Sequence, residues 1–222
     1  MSAGDPIRLA VFDCDGTLSD GQAAVCAAME WAFAETGLPA PDRHNVRRTV
    51  GLSLPQAVAM LAPDCEAGLL RDTVDAYKQA FRRARADGSL HEPLFDGIAQ
   101  LLAAAQGKGW LLGVATGKSD RGLASTLAAH RLGALFVTLQ TADRHPSKPH
   151  PAMLQAAMAE AGAAPEHTVM IGDTAYDMAM ARAAGTRALG VAWGYHAAEE
   201  LLASGAQAVA RTPAELEDML CG

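Results

Sequence analysis

Short apolar segments alternate with alanine-rich helical segments along most of the chain, and this alternation constrains the fold more than any other feature. A parallel sheet covered by helices on both faces produces such a pattern, because a crossover helix must connect successive strands. The predicted strands are 7–12, 110–115, 134–138, 168–171 and 187–191. The predicted helices are 96–106, 120–130, 151–161, 175–184, 196–203 and 213–220. The sequence therefore predicts an α/β fold with a Rossmann-like parallel sheet.

The interval between about 20 and 89 contains helical segments but no predicted strand. The helical segments are 22–36, 42–49, 53–62 and 66–86, and Gly or Pro residues separate them. We expect a helical cap at 20–89, inserted into a catalytic core formed by 1–19 and 90–222. Such an insertion after the first strand suggests a lid that closes over a site.

Polar residues follow four of the predicted strands. They are, in chain order, Asp13, Asp15, Thr116, Gly117, Lys148, Asp173 and Asp177. Ligands of open parallel sheets bind beyond the carboxyl ends of the strands. We therefore expect these residues to converge at one edge of the sheet.

Each of these residues also has a simpler interpretation. Asp13 resembles the first residue of a calcium-binding EF-hand loop, but the twelfth position of that loop needs Glu and this chain has Ala24 there. Asp173 and Asp177 are also suited to capping the helix that follows them. Lys148, between prolines, would on its own be read as a surface residue. The joint placement of these residues favours a functional site.

The residue types indicate phosphoryl transfer assisted by a metal ion. Carboxylates that are brought together raise one another's pKa, and a divalent cation relieves the repulsion. Oxygen ligands of this kind suit Mg²⁺. Lys148, with donors at Thr116 and Gly117, would stabilise the charge of a phosphoryl group. One carboxylate can then attack phosphorus while a second protonates the leaving alcohol.

The segments FDCDGTLSD, VATGK, SKPHP and GDTAYD, in this order and spacing, resemble the motifs of the haloacid dehalogenase superfamily of phosphohydrolases. The resemblance covers nearly the whole chain and is closest to the phosphoglycolate phosphatase-like branch. It implies that Asp13 is the nucleophile and that Asp15 is the general acid and base.

The resemblance also implies the roles of the other residues. Thr116 and Lys148 would hold the phosphoryl oxygens. Asp13, the backbone carbonyl of Asp15 and Asp173 would bind Mg²⁺, and Asp177 would support the site.

Departures from the family's patterns narrow the reaction. Dehalogenases and phosphonate-cleaving members lack the second aspartate of the first motif, so Asp15 favours ester hydrolysis or phosphoryl transfer. Lys78 is the single lysine of the insertion and lies far along it, which disfavours a Schiff base. Sugar-phosphate mutases of similar build carry a histidine where this chain has Val25 and a basic residue where it has Leu54. Both differences disfavour a phosphomutase.

The predicted function is Mg²⁺-dependent hydrolysis of a small phosphorylated metabolite, with phosphoglycolate as the leading substrate. Two alternatives stay open. A phosphomutase would return the phosphoryl group to a sugar, and a phospholigand-binding module would lack turnover altogether.

Several further residues are ambiguous in the sequence. Arg47 or Arg48 would suit a substrate carboxylate, although the sequence favours an exposed helix face for them. Lys118 is either a phosphate ligand or the start of the next helix, and Trp193 and Tyr195 either line the pocket or pack beside it. The cluster 82–85 contains three arginines and is interpreted as the exposed face of a helix.

Charge and cysteine content exclude several classes of protein. The net charge is −7, with no large basic cluster, which argues against nucleic-acid binding. No apolar stretch approaches the ~20 residues of a membrane span. The four cysteines contain no Cys-x-x-Cys pair, which argues against a zinc site or a disulfide framework. No signal peptide is visible, so we expect a cytoplasmic protein.

Overall fold

A six-stranded parallel sheet forms the centre of the protein. The computed structural model describes residues 6–221. The strands are β1 (Arg8–Phe12), β2 (Trp110–Thr116), β3 (Phe136–Thr141), β4 (Thr168–Gly172), β5 (Arg187–Val191) and β6 (Ala208–Ala210). Their order in the sheet is β3-β2-β1-β4-β5-β6, and every pairing is parallel. The predicted Rossmann-like α/β fold is confirmed.

Helices cover both faces of the sheet. They are α5 (Ile98–Gly107), α6 (Asp120–Ala129), α7 (Ala152–Ala161), α8 (Ala175–Ala184), α9 (Ala198–Ser204) and α10 (Pro213–Cys221). One buried apolar cluster joins α5, α6 and α10 to the sheet. A second cluster joins α7, α8 and α9 to the opposite face. The strands are nearly continuous apolar runs because both of their faces are buried.

Four helices lie between β1 and α5. They are α1 (Gln22–Glu35), α2 (Arg43–Arg48), α3 (Leu54–Leu61) and α4 (Ala67–Ala86), and we call them the helical insertion. The insertion has an apolar cluster of its own, to which Met29, Phe33, Val46 and Val58 contribute. Its predicted boundaries at 20 and 89 stay a prediction, and positions 1–5 and 222 of the predicted core lie outside the described residues.

Two details of the sheet differ from the sequence prediction. The strand predicted at 134–138 begins two residues later, because Gly133–Leu135 forms a 3₁₀ turn before β3. The strand β6 was not predicted. It has three residues and forms an edge beside β5, so it is too short for a periodic pattern.

Polar contacts join the helical insertion to the sheet domain. The Ser53 amide donates to Ser147 Oγ at 2.7 Å. The Tyr176 hydroxyl donates to the Arg48 carbonyl at 3.1 Å, and Arg48 forms an ion pair with Glu200. These contacts hold the insertion over the carboxyl ends of the strands.

Two predictions about protein class can be compared with the described residues. No helix within residues 6–221 combines the length and the apolar character that a membrane crossing requires. The four cysteines are free, as the absence of a paired motif predicts; they are Cys14, Cys26, Cys65 and Cys221.

Candidate active site

The predicted site residues converge at the carboxyl edge of the sheet. Asp13 directly follows β1, Thr116 ends β2 and Asp173 directly follows β4. The register aligns Phe12 with Ile171 of β4, so Asp13 and Asp173 leave the sheet at nearly the same level. Lys148 comes from the loop after β3. This placement is the one that the order of the strands predicts.

Three buried carboxylates form the centre of this arrangement. Asp13, Asp173 and Asp177 each offer an oxygen atom, and these atoms lie within 4.8 Å of one another. Burial raises the pKa of Asp13 to about 7, against the opposing charge of Lys148. Burial also raises the pKa of Asp173, and the charges of Asp13 and Asp177 add to the effect. The fold thus concentrates negative charge where water cannot solvate it.

Lys148 is the cation inside this cluster. Its side chain is fully buried, and Nζ lies 3.0 Å from Asp13 Oδ1 and 2.6 Å from Asp177 Oδ1. Burial alone would lower the pKa of Lys148, but the charges of Asp13 and Asp177 raise it overall. Lys148 therefore stays protonated, and the interpretation of this residue as a surface lysine is wrong.

The two oxygens of Asp13 have different surroundings. Oδ1 accepts from the Cys14 amide at 2.6 Å and contacts Lys148. Oδ2 has no hydrogen-bond partner among residues 6–221, although it is buried. A buried carboxylate oxygen without a partner is costly in free energy. Such an atom is expected where a ligand or a reacting group completes the site.

The other two carboxylates are held on both oxygens. Asp173 accepts from Thr17 Oγ1 at 2.8 Å and from the Tyr195 amide at 2.9 Å. Asp177 accepts from Lys148, and its Oδ2 accepts from the Thr174 amide and hydroxyl at 3.1 and 2.7 Å. The Thr174–Asp177 pair forms a capping box at the start of α8. Asp177 thus caps the helix and contacts the site lysine at the same time.

Asp15 has a separate electrostatic environment. Lys118 Nζ lies 3.0 Å from Asp15 Oδ1 and 2.7 Å from Glu92 Oε1, at the junction between the insertion and α5. Burial raises the pKa of Asp15, while Lys118 opposes the shift. The ambiguous Lys118 is therefore an ion-pair partner of Asp15. Sequence analysis missed Glu92, because it belongs to no motif and no regular element.

Glycines allow the loops of the site to approach one another closely. Gly16 has φ +84°, and a Cβ there would lie 2.2 Å from Asp173 Oδ2. A Cβ on Gly117 would lie 2.4 Å from the carbonyl oxygen of Leu52 in the insertion. Gly117 is therefore the point at which the insertion contacts the strand end that carries Thr116.

A cavity of about 620 Å³ lies between the insertion and the site. Asp13, Asp15, Thr116 and Gly117 line it from the sheet, and the segment 49–55 lines it from the insertion. Lys148, Asp173 and Asp177 lie beneath this surface and are fully buried. The cavity therefore gives a ligand access to Asp13 and Asp15.

The arginine interpretations from the sequence need correction. Arg47 and Arg48 do not line the cavity, and Arg48 pairs instead with Glu200. Arg82 and Arg85 line the cavity; Arg82 is also exposed, as the sequence indicated, whereas Arg85 is half-buried. Arg83 is exposed as well, and its guanidinium lies 4.6 Å from the ring centroid of Trp31.

The two aromatic residues after β5 pack beside the site. Trp193 Nε1 donates to the Thr17 carbonyl at 3.1 Å. The Tyr195 ring lies so near Gly16 that a Cβ on Gly16 would meet it at 2.5 Å. Neither aromatic residue lines the cavity, so both support the loops that hold Asp173.

The three-carboxylate cluster fits a divalent cation. All of the side-chain ligand atoms that the cluster offers are oxygen atoms. Lys148 balances one of the negative charges of the cluster, and a divalent cation would balance the others. Hard cations such as Mg²⁺ prefer ligands of this type.

The sequence matches the model of the haloacid dehalogenase-like hydrolases over residues 10–191, which include every residue of the candidate site. The chain belongs to the haloacid dehalogenase-like hydrolase family. The family predicted from the four motifs is confirmed, and so is the prediction that the protein is a hydrolase.

Individual relatives agree with this assignment. The chain is 36% identical to the "Probable phosphatase IndB" of Dickeya dadantii, with 94% of this chain and 91% of that protein covered. It is 31% identical to "Phosphoglycolate phosphatase 1" of Pseudomonas aeruginosa, with coverages of 88% and 75%. A solved structure of a hydrolase from Pseudomonas syringae has a similar fold, with a TM-score of 0.85, 24% identity and coverages of 96% and 97%.

Proposed function

We propose that this protein is a Mg²⁺-dependent phosphatase that hydrolyses phosphate monoesters through an aspartyl-phosphate at Asp13. The observation that carries the proposal is the unpartnered, buried Oδ2 of Asp13, which belongs to the cluster of three carboxylates and lies at the surface of a cavity. Family membership and the names of the relatives support the same reaction.

The residues have distinct tasks in this proposal. Asp13 Oδ2 attacks phosphorus, and the bond from phosphorus to the alcohol oxygen breaks. Asp15 gives its proton to the departing alcohol and later removes a proton from water, which attacks the phosphorus of the aspartyl-phosphate. Release of phosphate regenerates the Asp13 carboxylate.

Electrostatic stabilisation comes from the residues around Asp13. In this proposal the charge of Lys148 stabilises the phosphoryl oxygens, and the donors at Thr116 and Gly117 form hydrogen bonds to them. Asp13, the backbone carbonyl of Asp15 and Asp173 would hold Mg²⁺. Bound Mg²⁺ would supply positive charge that lets the anionic nucleophile and the anionic phosphate approach each other.

The helical insertion acts as a cap in this proposal. Its segment 49–55 lines the cavity, and Leu52 contacts Gly117 next to Thr116. A cap at 20–89 would exclude bulk water from Asp13 before attack. Substrate would enter when the contacts between the cap and the sheet domain open.

The experiment is phosphate release with and without Mg²⁺ from phosphoglycolate, sugar phosphates, nucleotides and pyrophosphate, with Asp13→Asn as the control. We expect release by the wild type with Mg²⁺ and none by the variant. Phosphoglycolate is the first substrate to test, because the sequence predicts it and a relative carries its name.

Other outcomes would identify the alternatives. A phosphomutase would need a bisphosphate activator and release little phosphate. A binding module would release none, and Asp13→Asn would keep the thermal shift that the phospholigand causes.

A further inference from the structure

The cavity above Asp13 is much larger than the substrate that the sequence predicts. Its volume is about 620 Å³. Phosphoglycolate has nine non-hydrogen atoms, and at about 30 Å³ for each, the share of one water molecule in the liquid, it fills less than about 270 Å³. More than half of the cavity would lack a substrate contact. A larger alcohol is needed to fill it.

One wall of this cavity is apolar and belongs to the helical insertion. Val25 and Met29 come from α1, and Tyr77 and Phe81 come from α4. The rings of Tyr77 and Phe81 lie with their centroids 5.1 Å apart. Such a wall gains free energy from contact with a broad apolar surface, and glycolate offers none.

The cavity is also lined by cations that no protein carboxylate neutralises. Arg82 lies on α4 and Arg121 lies in the first turn of α6. Within the part of the chain that the structure describes, neither arginine forms an ion pair. Lys118, by contrast, is already paired with Asp15 and Glu92.

The position of these arginines on their helices connects them with the cavity. Lys78, Arg82 and Arg85 are spaced by four and three residues, so they share one face of α4, and all of them line the cavity. Arg85 Nε donates to Ser125 Oγ at 2.7 Å, which leaves Arg82 as the arginine of this face without a protein partner for its side chain. Arginine binds carboxylate and phosphate groups through paired hydrogen bonds.

We propose that the substrate is a phosphate monoester whose alcohol has a ring-sized apolar body and a second anionic group. The apolar body packs against Met29, Tyr77 and Phe81, and Arg82 and Arg121 bind the second anion. This inference rests on the proposed phosphatase function, because it requires the phosphoryl group to lie at Asp13.

Four matched substrates separate the two parts of the proposal. They are ethyl phosphate, phosphoglycolate, benzyl phosphate and 4-carboxybenzyl phosphate, which combine a small or ring-sized alcohol with or without a carboxylate. Phosphate release with Mg²⁺ gives kcat/KM for each. We expect 4-carboxybenzyl phosphate to exceed phosphoglycolate by about tenfold or more, because its ring fills the apolar part of the cavity.

Arginine variants test the second anion. Arg82→Gln and Arg121→Gln are each expected to lower the ratio of kcat/KM for 4-carboxybenzyl phosphate to that for benzyl phosphate by about tenfold. Arg83→Gln is the matched control, because Arg83 lies on the same helix but contacts Trp31. The control should leave this ratio as it is in the wild type.

Each other outcome contradicts a defined part of the account. If the small esters match or exceed the ring-sized esters, the inference is wrong and the phosphatase proposal stands. If the two arginine variants behave like Arg83→Gln, the assignment of the second anion is wrong. If none of the four esters releases phosphate, this inference is wrong, and release from the sugar phosphates, nucleotides and pyrophosphate decides whether the phosphatase proposal falls with it.

Discussion

Lys148 is a fully buried lysine whose ammonium lies between the carboxylates of Asp13 and Asp177. Lys148→Met would keep a similar shape but leave buried carboxylates without their cation. We expect a loss of unfolding free energy of about 3–5 kcal/mol at pH 8. Urea unfolding measures this change, with Lys108→Met on the surface as the control, expected within about 0.5 kcal/mol of the wild type.

The pH dependence of the Lys148→Met variant gives an additional test. Without the lysine, the pKa of Asp13 would rise further above its value in the unfolded chain. The loss of unfolding free energy relative to the wild type is therefore largest at high pH, and it becomes smaller as the pH falls and Asp13 becomes protonated. A loss that becomes larger between pH 8 and pH 6 would contradict the electrostatic role of Lys148.

His196 predicts a second pH effect. Burial and the nearby Arg48 lower its pKa, and Nδ1 accepts from the Ala175 amide at 3.1 Å. The unfolded chain binds a proton near pH 6.5 that the folded chain does not, so stability falls as pH drops below about 6.5. His196→Asn keeps an acceptor but cannot titrate. Its melting temperature should fall less between pH 7 and pH 5 than that of the wild type, and an equal fall would contradict the assignment.

The convergence of the predicted site residues was predictable, because the strand order places the ends of β2, β1 and β4 side by side. Asp13, Asp15 and Asp173 lie in short segments directly after strands, and Thr116 is the last residue of β2. Glu92 was not predictable, because it reaches Lys118 through a connection without a periodic pattern. The partners of a loop residue depend on tertiary packing, which local sequence does not encode.

At the scale of elements, the close approach of the segment 49–55 to the end of β2 requires that position 117 has no side chain. A Cβ there would lie 2.4 Å from the Leu52 carbonyl oxygen. Gly117→Ala should therefore displace this segment and lower kcat/KM by about tenfold or more, with faster amide hydrogen exchange at 49–55.

The matched control for this prediction is Gly107→Ala at the end of α5. A Cβ there has no atom within 4 Å, so we expect unchanged activity and a gain in stability of up to about 1 kcal/mol. If Gly117→Ala keeps the wild-type kcat/KM and exchange rates, the close contact between Leu52 and Gly117 has no role in activity.

The elements themselves were largely predictable from periodicity. The long helices of the insertion, α1 and α4, match the predicted ranges to within a residue at each end. Their faces were harder to assign, because the sequence of α4 does not show that Arg82 and Arg85 also line a cavity. Whether a charged face meets water or a cavity depends on another element more than thirty residues away along the chain.

For the whole molecule, the three-carboxylate cluster predicts that Mg²⁺ stabilises the folded chain. A ligand that binds only the folded chain raises the unfolding free energy, by about 2.7 kcal/mol at a hundred times its Kd. We expect Mg²⁺ to raise the melting temperature of the wild type in a saturable way and Asp173→Asn to reduce this shift strongly. Sodium chloride at equal ionic strength is the control, and an equal shift with sodium would contradict a specific site.

The central claim is that Asp13 carries the phosphoryl group during the reaction. The most direct measurement uses the Asp15→Asn variant with 4-nitrophenyl phosphate, whose leaving group needs no proton, followed by acid quenching and peptide mass spectrometry. The account predicts that the peptide containing Asp13 gains the mass of one phosphoryl group, because water attack is slowed without Asp15. Phosphate release from 4-nitrophenyl phosphate by this variant without any such adduct would contradict it.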